Sequence, residues 1–299
     1  MQWVTRRRDE HGAIIVLLAG FSVAMVAMAA LVVDVGSLLD EKRQLQNGAD
    51  AGALAVAHSC AAGPSCVPGL ATNLANGNSR DNRSDVVVGA PDLAAKQVKV
   101  TTSTRTATST ILPYRFGQAL TGVNGKTLHA SATAGWDFPG SAIAIPLAIS
   151  PCDKAQLAIG VTAVVHLGTG FGPCPGRDAS GAFGWLAREC QTLIFAGPTL
   201  VPGSSGKAGP KDCFESQKGT VVVLPVYDTV TGTGSGARYH IIGFAAMRIT
   251  GWAFPGDTST PTITCPSGSC IAGTFVNFVA ASTTGGAADF GVFRVFLRS

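Results

Sequence analysis

The residues of this 299-residue chain best suited to covalent or metal chemistry are eight cysteines and five histidines. The cysteines are Cys60, Cys66, Cys152, Cys174, Cys190, Cys213, Cys265 and Cys270. Their number is even and none precedes residue 60. In a segment placed outside the cytoplasm such a set forms disulfides. Cys60–Cys66 and Cys265–Cys270 enclose short loops containing Gly with Pro or Ser, which suits local bridges. The other four allow three connectivities, of which Cys152–Cys174 with Cys190–Cys213 is preferred. Zinc fits poorly. No Cys-x-x-Cys occurs, and His11, His58, His129, His166 and His240 show no metal-ligand spacing.

Other catalytic patterns are missing at the level of spacing. Gly232-x-Gly234 followed by Ala237 superficially resembles a dinucleotide loop, but a strand pattern follows it where a helix is required, so a hairpin turn is expected. No Gly-x-Ser-x-Gly elbow and no recognisable Ser/His/Asp set occurs. Asp153, Asp178, Glu189, Asp212, Glu215, Asp228 and Asp289 are scattered, and their spacing marks no carboxylate pair. The charge balance is mild, with 22 basic against 18 acidic residues. No basic stripe appears, so no nucleic-acid partner is expected. The expectation is a protein that is not an enzyme, with no catalytic, cofactor or metal site and no small-molecule substrate.

The element that places everything else is N-terminal. Ala13 to Val33 is 21 residues long and carries Ser22 as its only hydroxyl or charged side chain. At about 1.5 Å per residue it spans roughly 30 Å, the thickness of a bilayer's hydrocarbon core. Arg6-Arg7-Arg8 precedes it, which by the positive-inside rule leaves the N-terminus cytoplasmic and everything after Asp34 outside. Ala27-Met28-Ala29 fits a signal-peptidase site. The apolar run is too long for a signal, however, and helix-forming sequence continues past that site, so a retained single-pass anchor is favoured.

Ser37 to Ala57 contains no proline. Leu38, Leu45, Ala49, Gly52 and Val56 form a narrow stripe at helical spacing. Small residues around it (Ala49, Ala51, Gly52, Ala53, Ala55, Ala57) allow close approach of another element. The helix is therefore expected to leave the membrane and dock its outer half on its own domain or on a neighbouring subunit.

Three strings carry a resemblance: Arg8-Asp9-Glu10-His11-Gly12-Ala13, then Leu31-Val32-Val33-Asp34-Val35-Gly36, then Leu45-Gln46-Asn47-Gly48-Ala49-Asp50-Ala51-Gly52-Ala53-Leu54-Ala55. In order and spacing they resemble the N-terminal module of TadE/TadG-like proteins of bacterial tight-adherence (Tad, or Flp) pilus systems. Tyr227–Trp252 and the combination of Pro146–Cys152 with Gly181–Leu186 look, more softly, like the C-terminal region of actinobacterial TadG-related proteins. The resemblance implies a structural or assembly component, minor pseudopilin-like, in contact with membrane lipid and with other Tad pilus proteins or pseudopilins through Asp34, Gly36, Leu45, Asn47, Asp50 and Ala53. The alternative is an anchored surface binding protein or adhesin.

Two departures refine that implication. Type IV prepilins carry Glu five residues beyond the cleaved Gly. After Gly12 that position is Leu17, which suits a resident anchor better than a polymerising subunit. Some TadG proteins carry an Asp-x-Ser-x-Ser metal site. Asp178-Ala179-Ser180-Gly181-Ala182 lacks the second Ser and is expected to be a loop. Asn82-Arg83-Ser84, a glycosylation sequon by pattern, is accidental in a bacterial protein.

The rest of the chain reads as strands. Candidates are Asp85–Ala90, Gln97–Thr110, Leu128–Trp136, Ser141–Ile149, Thr220–Tyr227, Arg238–Trp252, Thr274–Ala280 and Phe290–Leu297. In Gln97–Thr110, the alternation Val98, Val100, Thr102, Thr104, Thr106, Thr108 suggests a long, solvated edge strand. Tyr114–Leu120 fits a turn or two of helix, and Gly203–Pro210 a flexible loop. Gly135-Trp136-Asp137-Phe138-Pro139-Gly140 is echoed by Gly251-Trp252-Ala253-Phe254-Pro255-Gly256, a hint of two related lobes. The expected fold is α+β: a long N-terminal transmembrane helix continuing into a mainly antiparallel β extracytoplasmic domain. Its expected parts are a cytoplasmic stub (1–12), the transmembrane helix (13–33), its extracytoplasmic continuation (34–58), a first β-rich lobe (59–136) and a second, disulfide-containing one (137–299).

Overall fold

The structure is a computed structural model that describes residues 11–63, 65–150, 158–166, 184–205, 212–254, 256–259, 262–265, 269–282 and 284–298. Arg6–Arg8, Cys152, Cys174, Asp153, the string 178–182 and most of the 203–210 loop lie outside the described residues. The chain is α+β and divides into two compact units. One comprises Met1–Val56, Val67–Ala134 and Leu297–Ser299; the other comprises Ala57–Cys66 and Gly135–Phe296.

The first unit is organised by α1 (His11–Ala62), a 52-residue helix. It contains no proline, so no residue along it lacks the N–H that continues the helical ladder. Within it lies a stretch long and apolar enough to cross a membrane. Ile15, Leu17, Phe21 and Val32 there are each more than 60 % exposed, which is an uncovered apolar surface of the kind lipid covers. Then follow α2 (Gly69–Gly77), β1 (Ser84–Val88), β2 (Gln97–Thr104), β3 (Leu112–Pro113), α3 (Gly117–Thr121), β4 (Gly125–Lys126) and β5 (His129–Asp137). β1 and β2 are antiparallel, from Ser84↔Thr104 to Val88↔Val100, and β5 lies on the other side of β2. β3 and β4 form a small hairpin around α3.

β2 corrects the solvated edge strand expected for Gln97–Thr110. It ends at Thr104, lies between two partners, and buries Val98, Val100, Thr102 and Thr104. The threonines are tolerated inside because their hydroxyls are occupied: Thr102 Oγ1 donates to the Leu45 carbonyl at 2.7 Å, and Thr104 Oγ1 accepts from the Leu128 N–H at 3.1 Å. A buried hydroxyl with a partner costs little, whereas one without would cost about 1–3 kcal/mol.

The second unit contains β6 (Ser141–Ala144), β7 (Leu147–Ala148), β8 (Thr162–His166), β9 (Gly184–Trp185), β10 (Thr192–Phe195), β11 (Val201–Pro202), β12 (Ser204–Ser205), α4 (Asp212–Gln217), β13 (Val221–Thr231), β14 (Arg238–Phe254), β15 (Asp257–Thr258), β16 (Cys270–Phe275), β17 (Phe278–Val279) and β18 (Val292–Arg298). β14, 17 residues long, is the centre. It pairs antiparallel with β13 from Val221↔Arg248 to Thr231↔Arg238 and with β16 from Met247↔Phe275 to Ala253↔Cys270. β8 continues the sheet beyond β16. The expected strand Ser141–Ile149 is broken in two at Pro146, whose missing N–H cannot continue a ladder; β6 pairs with β10 and β7 with β9. β17 and β18 form a parallel pair.

The core of this unit is apolar on both faces of β14. Phe214, presented by the short α4, sits with its ring 5.3 Å from Phe254, 5.8 Å from Trp252 and 6.0 Å from Trp185. Disulfides join Cys60 to Cys66, Cys190 to Cys213 and Cys265 to Cys270. The second of these ties α4 to the chain just before β10.

Candidate functional site

Among the described residues no group of three or more His, Cys, Asp or Glu side chains is placed to hold a metal ion. His240 Nδ1 and Asp228 Oδ1 lie 2.6 Å apart across the β13–β14 ladder. Burial pushes the Tyr239 phenol up to about 12, outside the range of proton transfer near neutral pH. The Gly232–Gly236 string is the β13–β14 connection. Gly232 has φ +76°, and a Cβ there would meet the Gly236 carbonyl oxygen at 2.6 Å. Glycine is required for that turn and not for a phosphate.

The built features lie on the outer half of α1. Its inward face is used by the chain itself. Leu45, Ala49 and Ala53 are buried to 1 % exposure or less. Gly48 and Gly52, one turn apart, let α2 approach so closely that a Cβ on Gly48 would meet Ala75 Cα at 3.1 Å and one on Gly52 would meet Ala71 Cβ at 3.1 Å. Small residues on both helices permit this backbone-to-backbone packing. Polar side chains on the flanks pin the same face. Gln44 Oε1 accepts from the Arg80 N–H at 2.8 Å, and Asp40 pairs with Arg80 at 3.0 Å. Lys42 Nζ donates to the His129 carbonyl. Asp50, half-buried, accepts from Gln46 Nε2 at 2.7 Å.

An open stripe runs along the outer half of α1. Gly36, Leu39, Arg43 and Asn47 are all exposed, spaced three, four and four residues apart, and so share one face. Leu39 is 55 % exposed, and a Cβ on Gly36 would meet nothing within 4 Å. Of the six residues named from the sequence, Leu45 and Ala53 thus serve the chain's own packing, Asp50 a local bond, and Gly36 and Asn47 lie on the free stripe.

Asp34 is the most constrained of the six. It sits where the apolar stretch ends and is 6 % exposed. Its Oδ1 accepts from the Arg115 N–H at 2.8 Å, and its Oδ2 accepts from Phe116 at 3.2 Å and Gly117 at 2.5 Å. Burial pushes its carboxyl up. The backbone bonds from Gly117, Arg115 and Phe116, aided by the Arg115 charge, outweigh this and hold it below its ordinary value. Asp34 therefore stays ionised and clamps the Tyr114–Gly117 segment onto α1. Beside the clamp is a shallow cleft of about 270 Å³ lined by Leu31, Val35, Leu38, Tyr114 and Thr121. The sequence marks Asp34 only as the end of an apolar run. Nothing local announces that residues 81 to 83 positions downstream are its partners.

Residues 12–59 match the family described as "Putative Flp pilus-assembly TadE/G-like". The matched segment lies wholly within α1. No curated protein and no solved structure was found to match the chain.

Proposed function

We propose that this chain, TadE/G-like over its N-terminal segment, is a membrane-anchored structural component of a Tad/Flp-type pilus assembly, minor pseudopilin-like and without catalytic activity. Residues 13–33 stay in the plasma membrane, residues 1–12 face the cytoplasm, and residues 34–58 carry the outer domain. The partner is another pilus protein that lays a helix along Gly36, Leu39, Arg43 and Asn47. One observation carries the reading: the family match coincides with one continuous helix, one face of which is filled by the chain's own α2 and β-sheet while the other is open and small at Gly36. A glycine with empty space in front of it, on an exposed helix beside the membrane, suits close helix–helix approach.

The test is deletion followed by imaging of pili, with complementation by wild type and by Gly36→Leu. The deletion should abolish or reduce pili. Gly36→Leu should restore protein to wild-type levels, because a Cβ at this exposed position meets nothing within 4 Å, but should not restore piliation. Normal pili in the deletion strain overturn the reading. A second reading, an anchored surface binding protein, is favoured by the apolar side chains Ile143, Leu193 and Phe195, each more than half exposed on β6 and β10, beside a cleft of about 290 Å³. It predicts normal pili with impaired surface attachment.

A further inference from the structure

We propose that the segment Ile111–Lys126 is a membrane-surface foot: it lies in the headgroup layer of an anionic phospholipid bilayer, held there by Asp34. The proposal rests on the membrane crossing of α1 and adds a second membrane contact, outside the helix, to that reading.

The argument is one of depth. Asp34 is the first residue after the apolar stretch, and its carboxylate oxygens lie 2.5–3.4 Å from the backbone nitrogens of Arg115, Phe116 and Gly117. These amides are therefore within about one helical turn, 5.4 Å, of the end of the membrane span. The polar layer on each side of a bilayer is about 5–7 Å thick, from a hydrocarbon core of ~30 Å within a total of ~40–45 Å. Once α1 is inserted, the Arg115–Gly117 backbone clamped to Asp34 lies at the level of that layer.

Its side chains suit that layer. Phe116 is 48 % exposed, Val123 51 % and Ile111 41 %, a set of apolar groups that the domain leaves uncovered. Tyr114 lines the cleft against Leu31 and Val35 of the helix, the position at which aromatic rings with a polar tip favour the interface. Arg115 and Lys126 are exposed, and from Thr106 to Leu128 the sequence holds these two basic residues and no acid. Basic side chains on apolar stems reach phosphate while their methylenes stay in the acyl boundary. Asp34, the carboxylate that holds the segment, is buried and turned inward onto backbone N–H groups, so it does not repel the lipid.

The experiment uses the full chain reconstituted in vesicles of phosphatidylcholine with or without phosphatidylglycerol. Carbonate-resistant flotation with the vesicles reports insertion of α1. Phe116→Trp, read as the difference from wild type, reports the foot. With insertion established, the emission of the introduced indole should be blue-shifted. Lipids brominated near the headgroup end of the acyl chain should quench it more than those brominated near the methyl end, and quenching should be stronger in phosphatidylglycerol vesicles. Adding Arg115→Ser and Lys126→Ser should lower that quenching to the phosphatidylcholine level. Val123→Trp gives the same readout from the other arm should the first variant misfold. A protein that floats but shows unquenched, water-like emission at both positions overturns the foot and points to a protein partner on this surface. A protein that does not float overturns the anchor reading itself.

Discussion

Leucine at Gly52 should separate α2 from α1, and the structure sets how much that costs. Gly52 is in the interior of α1, where glycine is about 0.8–1 kcal/mol less favourable than alanine and leucine is nearly as good as alanine. Any side chain there therefore starts with a gain of that size. A Cβ, however, would meet Ala71 Cβ at 3.1 Å, Cα at 3.2 Å and the carbonyl oxygen at 3.4 Å. Gly52→Ala needs α2 to move by a few tenths of an ångström, so its stability should stay within about 1 kcal/mol of wild type. Gly52→Leu puts three further carbons where the α2 backbone lies. Strained accommodation costs about 1–3 kcal/mol. Detachment exposes the methyls of Ala71 and Ala75, both essentially buried, at about 0.8 kcal/mol each. After the helix gain is subtracted, strained accommodation leaves a net loss of about 0–2 kcal/mol and detachment one of about 0.6–0.8 kcal/mol, so the expected loss is about 1 kcal/mol. The assay is urea unfolding of the detergent-solubilised chain, with hydrogen exchange of the α2 amides as the local reporter. Leucine should lower the midpoint and strip protection from residues 69–77 before the rest of the unit. A leucine variant with an unchanged midpoint and unchanged α2 protection would refute the claim that backbone contact, rather than chance proximity, sets glycine here.

Three further outcomes are expected. Because Asp34 is held below its ordinary value in the folded chain, its contribution is complete above the unfolded pKa of about 3.9 and is lost as pH falls through the lower folded value. Protection of the Arg115–Gly117 amides should follow that titration, and Asp34→Asn should weaken it at neutral pH and abolish its acid dependence. Glu41 behaves oppositely: burial, only partly offset by a hydrogen bond from Thr104 and reinforced by Asp81 and Asp40, pushes it up. Glu41→Gln should therefore stabilise the first unit at neutral pH and lose that advantage in acid, as read by thermal unfolding across pH. Replacing both Cys190 and Cys213 by serine opens a loop with a sequence separation of 23 and should lower the stability of the second unit by about 3 kcal/mol on the loop-entropy model, measured against the oxidised, disulfide-bonded wild type.

Much of the architecture follows local patterns, which is why it can be read in advance. An unbroken apolar stretch is recognised as long and apolar enough to cross a membrane from its length and composition alone, with no distant partner in the argument. β14 is legible for a similar reason: a long run of β-branched, aromatic and small apolar residues between a glycine turn and Pro255 suits little else. α2 is harder to read. It is nine residues long, begins and ends on glycine, and shows helical order only through Ala71, Leu74 and Ala75. β2 misleads because alternating threonines look the same whether water or a carbonyl takes their hydroxyls. The difference is the Leu45 carbonyl, 57 positions away.

By itself, then, the sequence determined that the chain carries a membrane-length apolar helix, that its helical register continues outward through a TadE/G-like segment, and that the remainder is mostly antiparallel strand with cysteines able to pair. Those are properties of periodicity, length and composition, and they need no distant partner. The tertiary structure alone decided which face of the outer helix is already filled, leaving Gly36, Leu39, Arg43 and Asn47 open while Gly48 and Gly52 are closed by α2. It alone decided that Asp34 is a clamp rather than a mere end to the apolar run. Both decisions depend on backbone groups that arrive from remote positions, and the identity of a backbone N–H or carbonyl is written nowhere in the side chains that it meets.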